Sequence, residues 1–120
     1  MERQARVPEG RWTAESLARA IAGRTRAVNR LLARYELEAH AVIDTGRERL
    51  TLEIDEVHVH RGALYITARY TTWEEAMQDA YTLTRSGRPA KPLHHTDKPR
   101  LLIRLHPLDE VHITRSRWPA

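Results

Sequence analysis

The sequence predicts an α+β fold: an N-terminal amphipathic helix, then a curled antiparallel sheet or small barrel of about five strands. A short helix and a basic loop are expected as an insertion before the last two strands. Three observations lead to this prediction. Apolar residues follow a helical period up to residue 35, they alternate from residue 36 onward, and the alternation changes parity once.

The length of 120 residues with 41% hydrophobic residues suits one hydrophobic core. Residues 1–12 contain Pro8 and Gly10 and show no periodicity, which is typical of a flexible arm. We therefore expect a flexible arm over residues 1–12 and a single helix-plus-barrel domain over residues 13–120.

The predicted first helix begins at Thr13, whose hydroxyl is a good N-cap, and Glu15 stands where the helix dipole favours an acid. Apolar residues recur three, four and seven positions apart on one face; they are Leu17, Ile21, Val28, Leu31, Leu32 and Tyr35. The opposite face carries Arg19, Arg26, Arg30 and Arg34. Gly23 costs this helix about 1 kcal/mol relative to alanine, and Arg24 falls on its apolar side.

Strands follow. Residues 37–43 alternate between apolar and polar side chains, residues 44–47 form a turn, and the second strand begins near residue 49. Its apolar parity shifts between Ile54 and Val57, which predicts a β-bulge or a sharp bend. Arg61 and Gly62 make the next turn, and residues 64–70 form a third strand.

The insertion begins with Thr72 and Glu75, which fit a capping box for a helix over about residues 73–80. Residues 81–84 suit either a strand or the end of that helix, and residues 85–100, with three prolines, are expected to form an exposed loop. Two closing strands are predicted over residues 101–105 and 111–114. These elements together favour a small SH3-like or Sm-like barrel.

Two segments resemble the WYL domains. In Arg61–Arg69 a turn glycine precedes the trio Leu64-Tyr65-Ile66, as a glycine precedes the Trp-Tyr-Leu trio of that family. The segment 108–111, Leu-Asp-Glu-Val, is similar to the family's closing Leu-Asp-Arg-Ile. WYL domains are Sm-like barrels of bacterial transcription regulators and defence accessory proteins, believed to sense nucleotides or nucleic acid. The resemblance implies a regulatory binding module.

Charge is segregated along the chain, although the net charge is only +4. Residues 1–35 carry +5, residues 36–60 carry −5 and residues 85–100 carry +4. The chain has no cysteine, which excludes disulfides, thiolate nucleophiles and cysteine-based metal centres. It also lacks an apolar run long enough for a signal peptide or a membrane span, so we expect a cytoplasmic protein that does not bind membranes.

The basic loop and the neighbouring strands provide a candidate nucleic-acid site, because cations bind phosphates and tyrosines stack on bases. The candidate residues are Tyr65, Arg69, Arg85, Arg88, Lys91, Lys98, Arg100 and Arg104. The expected partner is RNA, single-stranded DNA or a nucleotide. The arginine face of the first helix is a weaker candidate, since a solvated helix face accounts for it better than nucleic-acid binding does.

Other functions stay open. No hydrolase, phosphate-loop or zinc-protease motif occurs, so we expect a protein that is not an enzyme and needs no cofactor or metal. The acidic hairpin and basic helix also suit a small protein–protein adaptor or inhibitor of phage or mobile-element type, possibly a homo-oligomer. The pairs His58/His60 and His94/His95 leave a metal-assisted hydrolase as a minor alternative. The tryptophans Trp12, Trp73 and Trp118 are expected to pack in the core or at its edge.

Overall fold

The computed structural model describes residues 8–94 and 97–116. This part of the chain forms three helices and one seven-stranded antiparallel sheet, which confirms the α+β class. The elements in chain order are β1 (Gly10–Thr13), α1 (Ala14–Ile21), α2 (Thr25–Ala33), β2 (Leu37–Asp44), β3 (Arg49–His60), β4 (Ala63–Arg69), α3 (Trp73–Arg85), β5 (Ala90–Pro92), β6 (Arg100–Arg104) and β7 (Glu110–Arg115).

The strand order is β1-β7-β2-β3-β4-β6-β5, and the sheet is not closed into a barrel. One face of the sheet packs with all three helices into a single hydrophobic core. Its fully buried side chains include Leu17 of α1, Leu83 of α3, Ile66 of β4 and Ile113 of β7. The other face, called the open face below, carries the polar residues that alternate with the core positions.

The connection between β6 and β7 requires the sheet to curl. Three strands lie between β6 and β7 in the sheet, yet only residues 105–109 join them. The first turn of α1 holds this connection in place, because Ala14 N donates to Asp109 O at 2.7 Å and Glu15 N donates to Pro107 O at 2.9 Å. Thr13 is the N-cap of α1, as predicted, and its hydroxyl accepts a hydrogen bond from Ser16 N.

The change of apolar parity in β3 is a β-bulge, as predicted. Ile54 pairs with Ala68, and Glu56 pairs with the adjacent residue Thr67. Asp55 therefore has no cross-strand partner and is the extra residue of the bulge. Since a bulge bends its strand, β3 can continue for twelve residues while the sheet curls around the core.

Just before the bulge, β3 separates from β2, and α2 covers the edge that becomes free. The last pair between the two strands is His40 with Glu53. Asn29 Nδ2 of α2 donates to Val57 O at 2.8 Å, and Val57 N donates to Asn29 Oδ1 at 2.7 Å. The side-chain amide of Asn29 thus takes the place of a neighbouring strand and satisfies both backbone groups of Val57.

The predicted first helix is two helices. Gly23, with φ of 84°, lies between α1 and α2, in the left-handed region that commonly follows a helix end. Arg24, expected on the apolar side of one long helix, is instead the half-buried N-cap residue of α2. Arg19 therefore lies on a different helix from Arg26 and Arg30, and the expected continuous arginine face is interrupted.

Of the two alternatives for residues 81–84, a strand or the end of the helix, the structure has the helix: they belong to α3, because Ala80 and Leu83 continue its buried face into the core. Two other boundaries differ from prediction. The segment 85–100 is not one loop, since it contains the last residue of α3, all of β5 and the first residue of β6. Residues 10–12, expected in the flexible arm, form most of β1 and pair with β7; residues 1–7 lie outside the described part.

The sheet has seven strands, where about five were expected. The two additional strands, β1 and β5, comprise only four and three residues, too few to display a period. No helix in the described ranges is long and apolar enough to cross a membrane.

Candidate nucleic-acid interface

The predicted site residues on β4, β5 and β6 share the open face of the sheet. Tyr65 of β4 lies opposite Arg104 of β6, and Arg69 lies opposite Arg100. Lys91 of β5 lies opposite Leu102 on the same face. Directly opposite residues in an antiparallel pair have Cβ atoms about 5 Å apart, so the ladder itself brings these side chains together.

Two of these arginines are neutralised by the bulge residue. Asp55 Oδ1 lies 3.2 Å from Arg69 Nη2, and Asp55 Oδ2 accepts a hydrogen bond from Arg100 Nε at 2.9 Å. Glu53 lies 3.8 Å from Arg69 Nη1. Like charges directly opposite one another destabilise a sheet, and the carboxylate of Asp55 offsets that repulsion between Arg69 and Arg100. Their positive charge is therefore largely compensated within the protein.

Arg88 has a structural role on another side of the molecule. Its Nη2 donates to Asp109 Oδ1 at 2.6 Å and its Nε donates to Asp109 Oδ2 at 2.9 Å, with both side chains nearly buried. The hydrogen bonds to Asp109 raise the pKa of the Arg88 guanidinium above its usual value. Because this guanidinium is committed to Asp109, it is not available to bind a phosphate.

Arg85 and Lys98 do not join the open face through the ladder. Arg85 ends α3, where it lies over the ring of Tyr81 and donates to its hydroxyl at 3.0 Å. Lys98 lies between β5 and β6, is exposed and makes contacts of its own. The basic residues expected in one loop thus lie in separate places: on the open face, beside Asp109 and at the end of α3.

The remaining predicted residues, Tyr65, Arg104 and Lys91, form a small basic and aromatic surface together with His60 and Arg61. We call this surface the Tyr65 patch. The rings of Tyr65 and His60 meet edge to face with centroids 6.3 Å apart. Arg104, Lys91 and Arg61 are exposed, and none of them has an ion-pair partner in the described part of the chain. A half-buried aromatic ring beside unpaired cations is suited to stacking on a base while phosphates are bound.

Sequence reasoning missed Arg61 and His60 as members of this patch. Arg61 occupies the β3–β4 turn with φ of 52°, and together with Arg104 and His106 it lines a groove of about 430 Å³. His60 is the last residue of β3 and pairs with Ala63 across that turn. The signal was present in the sequence, because a two-residue turn brings the ends of both flanking strands together.

A continuous row of polar residues also crosses the open face. Successive cross-strand partners from β1 to β6 are Arg11, His112, His40, Glu53, Arg69 and Arg100. His112 additionally contacts Glu110 at 3.1 Å. The row places positive residues at both ends and a carboxylate between His40 and Arg69, so the face alternates in charge rather than being uniformly basic.

A large groove opens where β2 and β3 separate. It has a volume of about 860 Å³, and we call it the β2–β3 groove. Leu37, Ala39 and Ile54 line its apolar part. Its polar lining includes Tyr35, Glu36, Glu38, His40, Glu53 and Arg69. Because the last three also belong to the polar row, the groove is continuous with the open face.

The histidines of the described residues are distributed over several elements, and the pair His40 and His112 are cross-strand neighbours on the open face. His58 and His60 share the open face, but His58 contacts Glu56 at 3.3 Å and His60 contacts Tyr65. His94 stacks on Trp73 with ring centroids 5.5 Å apart; His95 lies outside the described residues, as does Trp118. Residues 8–94 and 97–116 contain no group of three or more ligand side chains that could hold a metal ion.

Comparison with known proteins returns no relative. No protein-family model matches the chain, and neither a curated protein nor a solved structure matches it significantly. The resemblance of residues 61–69 to WYL domains stays a prediction from the sequence.

Proposed function

We propose that the protein is a non-enzymatic module that binds single-stranded nucleic acid through the Tyr65 patch. The observation that carries the proposal is the direct cross-strand pairing of Tyr65 with Arg104, whose guanidinium has no acidic partner among the described residues. Stacking on a tyrosine contributes about 1–3 kcal/mol per base and tolerates any sequence. Arg104, Lys91 and Arg61 supply the charges that hold the backbone.

The curl of the sheet supports the same function. We regard strands β2, β3, β4, β6 and β7 as an incomplete Sm-like barrel, since the bulged β3 and the short β6–β7 connection bend them around one core. This arrangement exposes the outer side of β4 and β6, which holds Tyr65 and Arg104. A regulatory role, as the WYL resemblance implies, rests on this reading of the fold.

The test is fluorescence anisotropy with a labelled single-stranded oligonucleotide at several salt concentrations. Tyr65→Ala is expected to weaken binding by about 1–3 kcal/mol. Arg104→Glu is expected to weaken binding and to reduce the slope of log affinity against log salt by about 0.7 per lost phosphate contact. Arg47→Glu, an equal charge reversal at an exposed turn between β2 and β3, is the matched control.

Two results would contradict the proposal. One is the absence of salt-dependent binding by the unaltered protein. The other is an equal loss in Arg104→Glu and Arg47→Glu, which would show only a response to net charge. Thermal melts followed by circular dichroism must show that Tyr65→Ala and Arg104→Glu are folded.

A second candidate, the protein–protein adaptor, is favoured by one observation on α3. Met77 and Tyr81 are 48% and 63% exposed, and they follow Trp73 at successive intervals of four residues. Such spacing aligns the three on one side of the helix, as is typical of a docking surface. Met77→Lys would abolish any self-association seen by light scattering, and a protein that is monomeric with and without this change would count against a homo-oligomer.

A further inference from the structure

The β2–β3 groove has the dimensions and chemistry of a binding site for one flat polar molecule. Its volume of about 860 Å³ falls in the range of small-molecule sites. The apolar part is made by core residues of β2 and β3, and the rim carries both carboxylates and guanidinium groups. The groove exists because β2 pairs with β7 from Leu37 onward but with β3 only from His40 onward.

Tyr35 at the mouth of the groove is the first argument for a ligand. Tyr35 is 62% exposed, and its φ of 59° lies in the left-handed region, where a glycine or asparagine normally follows a helix. A tyrosine at this position costs conformational energy, and a mostly exposed side chain offsets little of that cost by packing in the free protein. An aromatic ligand stacked on Tyr35 gives the ring a function that offsets this cost.

Arg69 is the second argument. Its Nε is buried without a hydrogen-bond partner, and no other buried side-chain polar atom in the described residues is left unpaired. An unsatisfied buried donor is destabilising, so this arginine is incompletely satisfied in the free protein. Its side chain is otherwise 33% exposed and lines the groove, where its outer nitrogens can meet a ligand. The side chain of the neighbouring Glu53 is 60% exposed, and its one ion pair within the described residues is with Arg69, at 3.8 Å, so its carboxylate retains free acceptor positions.

From these observations we infer that the β2–β3 groove receives one base of the bound nucleic-acid strand and favours bases with an exocyclic amine. The base stacks on Tyr35, its amine donates to the Glu53 carboxylate, and Arg69 donates to a ring nitrogen or carbonyl oxygen. Carboxylates accept from such amines, as they do from cytosine N4, whereas thymine has no exocyclic amine. The inference rests on the proposed function and adds base preference to it.

The distance to the Tyr65 patch agrees with one continuous strand. Tyr65 and Arg69 are four residues apart on the same face of β4, which corresponds to about 13 Å at 3.3 Å per residue. Arg104 lies at the Tyr65 end of this path, Lys91 lies level with Thr67 at its middle, and Glu53 lies at the Arg69 end. The phosphates are thus bound from the Tyr65 end to the middle of the path, and a base is recognised at the Arg69 end.

The experiment compares labelled oligomers of deoxycytidine and deoxythymidine, each of about eight nucleotides, which suits a small binding domain. The unaltered protein is expected to bind the deoxycytidine oligomer about tenfold more tightly, since one good base contact contributes 1–3 kcal/mol. Glu53→Gln is expected to reduce that preference, because its neutral amide oxygen is a weaker acceptor than the carboxylate. Tyr35→Asn is expected to weaken binding of both oligomers while leaving the unfolding midpoint equal or higher, because asparagine tolerates this backbone conformation.

Tyr81→Ala is the control, since Tyr81 is an equally exposed tyrosine on α3 and lies outside the groove. If neither oligomer binds, the proposed function fails. If both bind with strong salt dependence but equally well, and Tyr35→Asn and Glu53→Gln change nothing, the groove inference is overturned while the proposed function stands. A loss in Tyr35→Asn that Tyr81→Ala reproduces would also overturn it.

Discussion

Replacing Asp109 by asparagine should remove a large part of the stability of this fold. Both carboxylate oxygens of Asp109 bind Arg88, at 2.6 and 2.9 Å, and Oδ2 also accepts from His106 N at 2.9 Å. The side chains of Asp109 and Arg88 are only 4% and 12% exposed. This cluster joins the end of α3 to the β6–β7 connection, on which the curl of the sheet depends.

The magnitude follows from burial. Breaking a buried ion pair by removing one partner costs about 3–5 kcal/mol, because the remaining charge loses its compensation. We expect Asp109→Asn to lose about 3 kcal/mol, since asparagine still accepts one hydrogen bond. Against a total stability of about 5–15 kcal/mol, this loss lowers the urea midpoint strongly.

Equilibrium urea unfolding followed by circular dichroism measures the effect. Glu110→Gln, a change of the same type at the adjacent exposed residue, is the control and should stay within about 0.5 kcal/mol. The double variant Arg88→Met with Asp109→Leu should recover most of the loss, since neither charge is then left buried. A loss below about 1 kcal/mol in Asp109→Asn, or no recovery in the double variant, would refute the reasoning.

Three further predictions concern stability. Burial, and then the 2.7 Å hydrogen bond to Asp79, raises the pKa of Tyr70 well above its ordinary value of 10.0. Between pH 10 and the raised pKa, only the unfolded chain ionises this tyrosine. The free energy of unfolding should therefore fall as the pH rises above 10, by at most about 1.4 kcal/mol per pH unit and by less because Tyr70 is partly exposed. Urea unfolding measured at several high pH values should show a weaker dependence of this free energy on pH in Tyr70→Phe. Asn29→Ala should cost about 2 kcal/mol by leaving both backbone groups of Val57 unpaired, and should speed hydrogen exchange of the Val57 amide. Thr72→Ala removes the hydrogen bond that caps the N-terminus of α3 and should lower the free energy of unfolding by about 1 kcal/mol. An unchanged thermal melt would show that the cap does not contribute to stability.

Local periodicity predicted the elements that are long enough to show a period. The alternation over residues 37–43 and the change of parity after Ile54 gave β2 and the bulge in β3 correctly, since burial on one face dictates both. The same reasoning joined α1 and α2, because apolar positions on either side of Gly23 continue one helical period. Only tertiary pairing with β7 or β6 makes strands of residues 10–13 and 90–92.

The sequence predicted which residues share the candidate site, but not which of its arginines are paired with acids. Tyr65 and Arg104 were expected to bind and do share one face. Arg88 and Arg100 were expected to bind as well, but each is paired with an acid distant in sequence, Asp109 and Asp55 respectively. Counting charges by segment cannot detect such pairs, because they form only when β3, β6 and the β6–β7 connection meet.

This pairing changes which variants can test nucleic-acid binding. Reversing the charges of Arg88, Lys91 and Arg100 together would leave Asp109 and Asp55 facing new acids, so lost binding would report a damaged fold. Lys91 and Arg104 have no acidic partner among the described residues, and reversing them alters the surface field without exposing a buried charge. Binding that disappears in Arg104→Glu while the urea midpoint is retained therefore identifies a surface contact. The combined reversal of Arg88, Lys91 and Arg100 cannot identify one, because it also damages the fold.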